Sequence, residues 1–199
     1  MTKIFTLLRH GEVAGDAALY GHTDIHLSEQ GRQNVQRAIA SVQQQSAIDF
    51  IIASPLVRCA QSARELAVQY GLPLQLDEQL KEMHFGDWDG VPFDALAAQW
   101  NHLEVFWRNP AGAQPPNGES LENFAVRVIA AWEKYSTAAG EQHCLMLLHA
   151  GVIRIIIAHI LQLDWRNPAL YQQLQINYAS STRIEIATGL PVVKWINLR

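Results

Sequence analysis

Three short stretches carry residue types able to grip an anion. Arg9-His10-Gly11-Glu12 sets an always-charged, bidentate donor beside an imidazole, with a glycine that lets backbone come close to a ligand. Ser54-Pro55-Leu56-Val57-Arg58-Cys59-Ala60-Gln61-Ser62-Ala63 reads as a strand end running into a helix. That places Arg58 in a first turn, where the helix terminus itself favours negative charge. Leu147-Leu148-His149-Ala150-Gly151 echoes Leu7-Leu8-Arg9-His10-Gly11, each an apolar strand end leading into a His and a Gly. Ligands of open α/β sheets bind outside the carboxyl ends of strands, so neighbouring strands here would bring His10 and His149 together. Such a group, without dense carboxylate or cysteine pairs to hold a metal, is built to neutralise a phosphoryl dianion by charged hydrogen bonds. The plainer reading, an ordinary polar histidine at each strand end, stays open at this level.

The surrounding pattern supplies the elements such a site needs. Lys3 to Leu8 is a short apolar run of β-formers, read as a buried strand. Ser28 caps a helix with Val35, Ile39 and Val42 on one face, and Phe50 to Ala53 is a second buried strand. Ser54-Pro55 is read as a cap with proline at the first helical position. Leu56, Ala60, Ala63 and Ala67 continue that helix to Gly71 and Pro73, and Leu74 to Leu76 is a further strand. From Lys81 to Gly118 the pattern loosens. Phe85 to Trp88 is loop-like, Leu96, Trp100, Leu103 and Trp107 suggest a helix, and residues 109–118 form a loop. Ser120 caps a helix striped with Phe124, Val128, Trp132 and Tyr135 and ended at Gly140. Cys144 to Leu148 is a strand, Val152 to Leu163 a helix, and Thr182–Ile186 and Val192–Ile196 are closing strands around a turn at Gly189. Alternating strands and helices predict a three-layer α/β sandwich, a mostly parallel central sheet with helices on both faces.

Composition narrows the class. With 199 residues, 49% hydrophobic and 17% charged, the chain has material for one core and too little charge for disorder. The expectation is a single domain over 1–199, with a loop-rich insertion at about 82–118 covering the site. A formal charge of -4 predicts no nucleic-acid or anionic-membrane surface, so an anionic ligand must meet a local basic cluster. Cys59 and Cys144 make neither a disulfide framework nor a metal set, and the first residues lack a signal h-region; both point to the cytoplasm. The long apolar window from Cys144 to Leu163 holds His149, Arg154 and His159, which fits a buried strand and helix better than a membrane span.

Together these residues resemble the histidine phosphatase superfamily, the phosphoglycerate mutase-like family. The carriers are Leu8 to Glu12, Tyr20-Gly21-His22-Thr23-Asp24, Leu27 to Gly31, Ser54 to Ala63, Leu80 to Gly90, Asn117-Gly118-Glu119-Ser120 and His149 to Arg154, over nearly the whole chain. The resemblance implies that His10 is the nucleophile, forming a phosphohistidine. It implies that Arg9, Arg58 and His149 hold the phosphoryl oxygens, and that Glu82 serves as proton donor and acceptor. Gly11, Gly21, Thr23 and Ala150 are implied as substrate-binding, with no metal and no cofactor. The expected partner is a small-molecule phosphate ester, with the chain a monomer or homodimer.

Several weaker signals keep two readings. Thr23 is a phosphate donor or a turn residue, Glu119-Ser120 lines the site or caps a helix, and Trp100, Phe106 and Trp107 are core or a platform for a base. His22 and His26 are not read as a zinc pair. Within the family, Leu19 to Asp24 and the short length look most like the alpha-ribazole phosphatase branch. Asp16, where the mutase branch carries Asn, speaks against a mutase, because a carboxylate there would repel phosphate. A broad sugar phosphatase, a mutase and an inactive phospholigand-binding member remain the alternatives.

Overall fold

The alternation of strand residues decides the architecture. In the computed structural model, which describes residues 2–138 and 143–199, β1 (Lys3–Arg9) turns Phe5 and Leu7 to one side and Leu8 to the other. The chain continues through α1 (Glu29–Gln45), β2 (Phe50–Ala53), α2 (Val57–Tyr70) and β3 (Leu74–Leu76). Val35, Ile39 and Val42 of α1 and Cys59, Ala63 and Leu66 of α2 pack with Leu8, Ile51 and Ala53 on one face of the sheet. After α3 (Trp100–Arg108) come α4 (Leu121–Thr137), β4 (His143–Leu148), α5 (Ala150–Ile160), α6 (Ala169–Gln172), β5 (Ser181–Ile186) and β6 (Pro191–Leu198). The stripes of α4 and α5 cover the other face, against Phe5, Leu7, Ile52, Met146 and Ile184. β4 is buried throughout, as a central strand covered on both faces must be.

The sheet has six strands in the order β3-β2-β4-β1-β5-β6. β3, β2, β4 and β1 run parallel, and β5 and β6 close one edge antiparallel. This is the mostly parallel three-layer α/β sandwich the pattern predicts. β1 and β4 are neighbours, with Arg9 opposite Leu148, so the histidines that follow each strand emerge side by side.

Local signals place most boundaries. Ser28 accepts from the Gly31 amide at 3.0 Å to open α1, and Ser120 accepts from Asn123 at 3.1 Å to open α4. A cap contributes about 1 kcal/mol. Each buried stripe residue of α4 (Phe124, Val128, Trp132, Tyr135) contributes about 1.5–3 kcal/mol. Packing therefore holds the helix and the cap only sets its start. Gly71 ends α2 in the left-handed conformation, at φ 65°.

Five details differ from the sequence reading. α4 ends at Thr137, and the expected stop at Gly140 lies outside the described residues. α2 starts at Val57 rather than at Pro55, with Leu56 in the cap position and no side-chain cap. α5 runs from Ala150 to Ile160, two residues earlier at its start than expected. The helix expected through Leu96 and Trp107 is split into a 3-10 stretch, Phe93–Gln99, and α3. Trp88, read as part of a loop, is 1% exposed and donates through its indole N–H to Gln99 Oε1 at 2.7 Å. The reason is the tight 3-10 turn Gly86–Trp88. Gly86 takes φ 54° with the backbone of Pro116 to Gly118 packed where a Cβ would be, and the turn drives Trp88 inward. No helix among the described residues is long and apolar enough to cross a membrane.

Candidate active site

Three strand ends meet at one crevice. His10 follows β1, Ser54 follows β2 and His149 follows β4. Main-chain bonds lock them in register: His10 N–H to Leu148 O at 3.0 Å and Ser54 N–H to Leu147 O at 3.1 Å. The rings of His10 and His149 lie 5.2 Å apart, edge to face. The convergence follows from the β1–β4 pairing alone, which is why the echo of the two His-containing stretches was informative.

The tautomer of His10 is fixed by its neighbour. Its Nδ1 lies 2.7 Å from the Gly11 carbonyl, which can only accept, so Nδ1 carries the proton and Nε2 presents a lone pair. Burial, then the charges of Arg58 and Arg9, push the His10 pKa well below the ordinary histidine value, with the Gly11 bond opposing them. The ring is therefore neutral at neutral pH, as a nitrogen nucleophile must be.

His149 is held from both sides. Its Nδ1 accepts from Arg58 Nε at 3.2 Å, so its Nε2 carries the proton and donates to Ser54 Oγ at 2.8 Å. Both His149 and Ser54 are fully buried. Burial, then Arg58, His10, Arg9 and Arg127, push its pKa well below the ordinary value. Cys59 Sγ packs 3.7 Å from the same Nε2, and burial pushes that thiol up to about 12, so it is an inert neighbour. Ser54, expected to cap a helix, is thus a partner of His149; the sequence offered no signal for a pair 95 residues apart.

The two arginines differ in how they are bound. Arg58 is 1% exposed and donates to Thr23 O (2.9 Å), Tyr20 O (3.0 Å) and Gly21 O (2.6 Å) besides His149. Arg9 donates to Ile176 O at 2.6 Å, while its Nε is buried with no protein partner, and its guanidinium lies 3.8 Å over the Tyr178 ring. Burial lowers the Arg9 pKa, and nearby Tyr178 and Glu82 oppose that. Tyr178, absent from the sequence reading, also tilts over His10 with ring centroids 5.6 Å apart.

Glu82 closes the crevice. Its Oε2 accepts from the Gly151 amide at the start of α5 and its Oε1 from Met83 N–H, each at 3.0 Å. A Cβ at position 151 would meet this carboxylate, so glycine there lets the carboxylate come close without shifting. Arg127 braces the segment from behind. It donates to the carbonyls of Gln79, Lys81 and Glu82 and forks onto Glu119 at 2.7 and 2.8 Å. Glu119 therefore serves as the partner of Arg127, and Ser120 as a helix cap.

The smaller candidates support the walls. A Cβ on Gly11 would strike the Gly31 carbonyl, so this glycine permits helix packing, while its own carbonyl anchors His10. Gly21 and Thr23 give their carbonyls to Arg58 and their amides to Asp89, whose carboxylate also takes His22 and Phe85 N–H. The Thr23 hydroxyl bonds Asp89 as well. Burial raises the Asp89 pKa, but these hydrogen bonds outweigh it and hold the carboxyl below its usual value. Ala150 opens α5 beside His149. His22 tilts against His84 with ring centroids 4.7 Å apart while His26 reaches Gln61, so the two do not face one another.

A neutral imidazole nitrogen amid two guanidiniums, with a carboxylate at the rim, is an arrangement for attack on a phosphorus centre. Comparison with known proteins agrees. The family model for histidine phosphatase superfamily (branch 1) matches residues 5–199. The adenosylcobalamin/alpha-ribazole phosphatase of Salmonella typhimurium is 27% identical over 97% of this chain and 95% of its own length. Phosphoglycerate mutase-like protein 4 of Arabidopsis thaliana is 29% identical over 74% of this chain and 66% of its own. The native structure of mycobacterial glucosyl-3-phosphoglycerate phosphatase superposes with a TM-score of 0.84 at 26% identity, covering all of both chains. The protein belongs to the histidine phosphatase superfamily, branch 1, and is a hydrolase of phosphate monoesters.

Proposed function

We propose that the chain cleaves small-molecule phosphate monoesters through a phosphohistidine on His10, with alpha-ribazole 5'-phosphate as its substrate. The observation that carries the mechanism is the Gly11 carbonyl on His10 Nδ1, which leaves Nε2 unprotonated inside the arginine cluster. Nε2 attacks phosphorus as the ester P–O bond breaks, and Glu82 delivers a proton to the departing alkoxide. Water then attacks the phosphohistidine, the P–N bond breaks, and Glu82 takes the proton from that water.

Arg9, with its unpartnered Nε, and Arg58 hold the equatorial oxygens, where charge gathers in a loose transition state. The incoming dianion offsets the guanidinium charges that keep His149 neutral. His149 Nδ1 then takes up a proton from solvent to donate to phosphate, its Nε2–H stays on Ser54, and Arg58 Nε is released to another oxygen. Gly11, Gly21, Thr23 and Ala150 are assigned to the walls on the substrate side, which they shape while the polar groups of the first three hold His10, Arg58 and Asp89 in place. The segment 82–118, part of one domain with the sheet, forms the roof. The substrate reading is supported by the extent of the Salmonella relative's alignment and by Asp16, which disfavours a mutase. The two unpaired, buried cysteines fit work in the cytoplasm.

The test is phosphate release from alpha-ribazole 5'-phosphate, 3-phosphoglycerate and a hexose phosphate. The ribazole ester is expected to be preferred at least tenfold, and His10→Ala to lower the rate at least 1,000-fold with the fold intact, on the order expected when a covalent nucleophile is removed. Retained turnover in His10→Ala overturns the mechanism. Equal rates on all three esters overturn the substrate.

A further inference from the structure

Glu82 and Gly151, which border the crevice, also line a cavity of about 240 Å³ between the roof and the helices beside it. The roof supplies Phe85, Phe106 and Trp107, and α5 and the α6 turn supply Arg154 and Tyr171. Gln172 donates to the Trp107 carbonyl at 2.7 Å, tying the walls together. The aromatic surfaces are already ordered against one another: Phe106 meets Phe85 and Trp88 edge-on, and Trp107 meets Phe93 and Trp100. A preformed wall of rings lets a flat ligand enter without ordering side chains first.

Charge narrows what fits. The charged groups lining the cavity are Glu82 and Arg154, of opposite sign. Arg154 spends its Nε on the Leu174 carbonyl at 2.9 Å, and the nearby Glu82 carboxylate partly offsets the pKa lowering that burial causes. An anionic leaving group would lie against Glu82 with one partly committed cation to balance it. A neutral ring displaces water from apolar walls at no such cost. Size agrees: an apolar cavity of about 150 Å³ holds benzene, so this one accommodates a larger ring system.

We infer that this cavity is the leaving-group site and selects a neutral alcohol carrying a flat aromatic ring of one or two fused cycles, against small or anionic alcohols. The inference rests on the phosphohydrolase reading above and adds the residues that choose the ester: Phe106, Trp107, Tyr171 and Arg154. Trp107 is the informative position, because it lines the cavity and is partly buried at the edge of the core rather than within it.

The experiment compares kcat/KM of the full chain on 2-naphthylmethyl phosphate, glycerol 1-phosphate and 3-phosphoglycerate. All are esters of primary alcohols, so leaving-group reactivity is similar and the comparison reports the pocket. The naphthylmethyl ester is expected to win at least tenfold over both others, and Trp107→Ala to shrink that margin about tenfold. Because a large-to-small change can disturb neighbours, Trp107→Phe, which keeps a ring, is expected to restore most of the margin. Equal or faster turnover of 3-phosphoglycerate or glycerol 1-phosphate overturns the assignment while leaving the hydrolytic reading intact. The same holds if Trp107→Ala slows all esters alike. Inertness of every ester would overturn the hydrolytic reading and this inference with it.

Discussion

The floor and the roof of the crevice are built by different physics. The floor is three parallel strand ends fixed by ladder hydrogen bonds, and each of its functional side chains is gripped by named partners. Arg58 alone makes four such contacts, and His149 has both nitrogens engaged. The roof is two 3-10 stretches, a short helix and a loop, held to the rest mainly by aromatic packing and by the Arg127 fork. A rigid floor suits chemistry common to every ester, since charge stabilisation depends on donors that do not reorganise. An apolar roof of preordered rings suits choice among esters, since shape and polarity of the leaving group are read there.

That contrast makes floor substitutions indifferent to the substrate and roof substitutions selective. The sharpest case after His10 is Arg58→Lys. Lysine keeps the charge but cannot reproduce the planar fork onto Tyr20, Gly21 and Thr23 together with the Nε contact to His149. A fall in kcat/KM of about 100- to 1,000-fold is expected, equal on naphthylmethyl and glycerol esters. A loss differing tenfold between the two would mean that Arg58 helps read the leaving group, and the division would fail.

Ser54→Ala tests the floor one contact further out. The hydroxyl accepts from His149 Nε2 and so fixes which nitrogen faces the phosphoryl group. Its loss is expected to lower kcat about tenfold with little change in KM, since the ring still fills its pocket but nothing accepts its Nε2–H while Nδ1 takes up a proton for the phosphoryl group. Ser54→Thr should recover most of the rate, because it returns the hydroxyl. Failure of threonine to rescue, with the fold intact by circular dichroism, would reduce Ser54 to a packing residue.

How much of this was readable beforehand follows the same division. Arg9, His10 and His149 stand at strand ends, and short apolar runs ending in His and Gly announce such positions. Arg58 was placed by the strand-to-helix step. The partners that tune them were not readable. Ser54 looked like a helix cap because a Ser-Pro pair is locally indistinguishable from one, and its true partner lies across the sheet. Thr23 reads as a phosphate donor or a turn residue, and nothing local announces that Asp89, 66 positions away, takes its amide. In the roof, helical spacing over Leu96 to Trp107 concealed the change from 3-10 to α winding. Trp88 went unrecognised as core because a glycine with positive φ, not periodicity, turns it inward. Local pattern carries strand ends; tertiary contact carries everything that depends on a distant partner.

The smallest expected effect concerns stability, and it asks whether the floor is held neutral as a unit. His10 and His149 are buried, and burial plus the guanidinium charges depress both folded pKa values well below the ordinary one. A depressed folded pKa means that the unfolded chain binds the proton more readily. The stability tied to these groups is therefore full above the unfolded value, roughly pH 6.5. It is lost as pH falls from there toward the folded values, at up to about 1.4 kcal/mol per pH unit for each ring. Urea unfolding between pH 7.5 and 5.5 should show wild type losing stability more steeply than His10→Gln by about one ring's share. His143, whose pKa burial also lowers, is common to both chains and cancels. Trp107→Ala, a roof change that removes no titrating group, should keep the wild-type slope. Parallel curves for wild type and His10→Gln would mean that His10 takes up its proton in the folded chain as readily as in the unfolded one. The crevice would then do nothing to keep the ring neutral, and below roughly pH 6.5 it would hold an imidazolium with no lone pair to offer phosphorus.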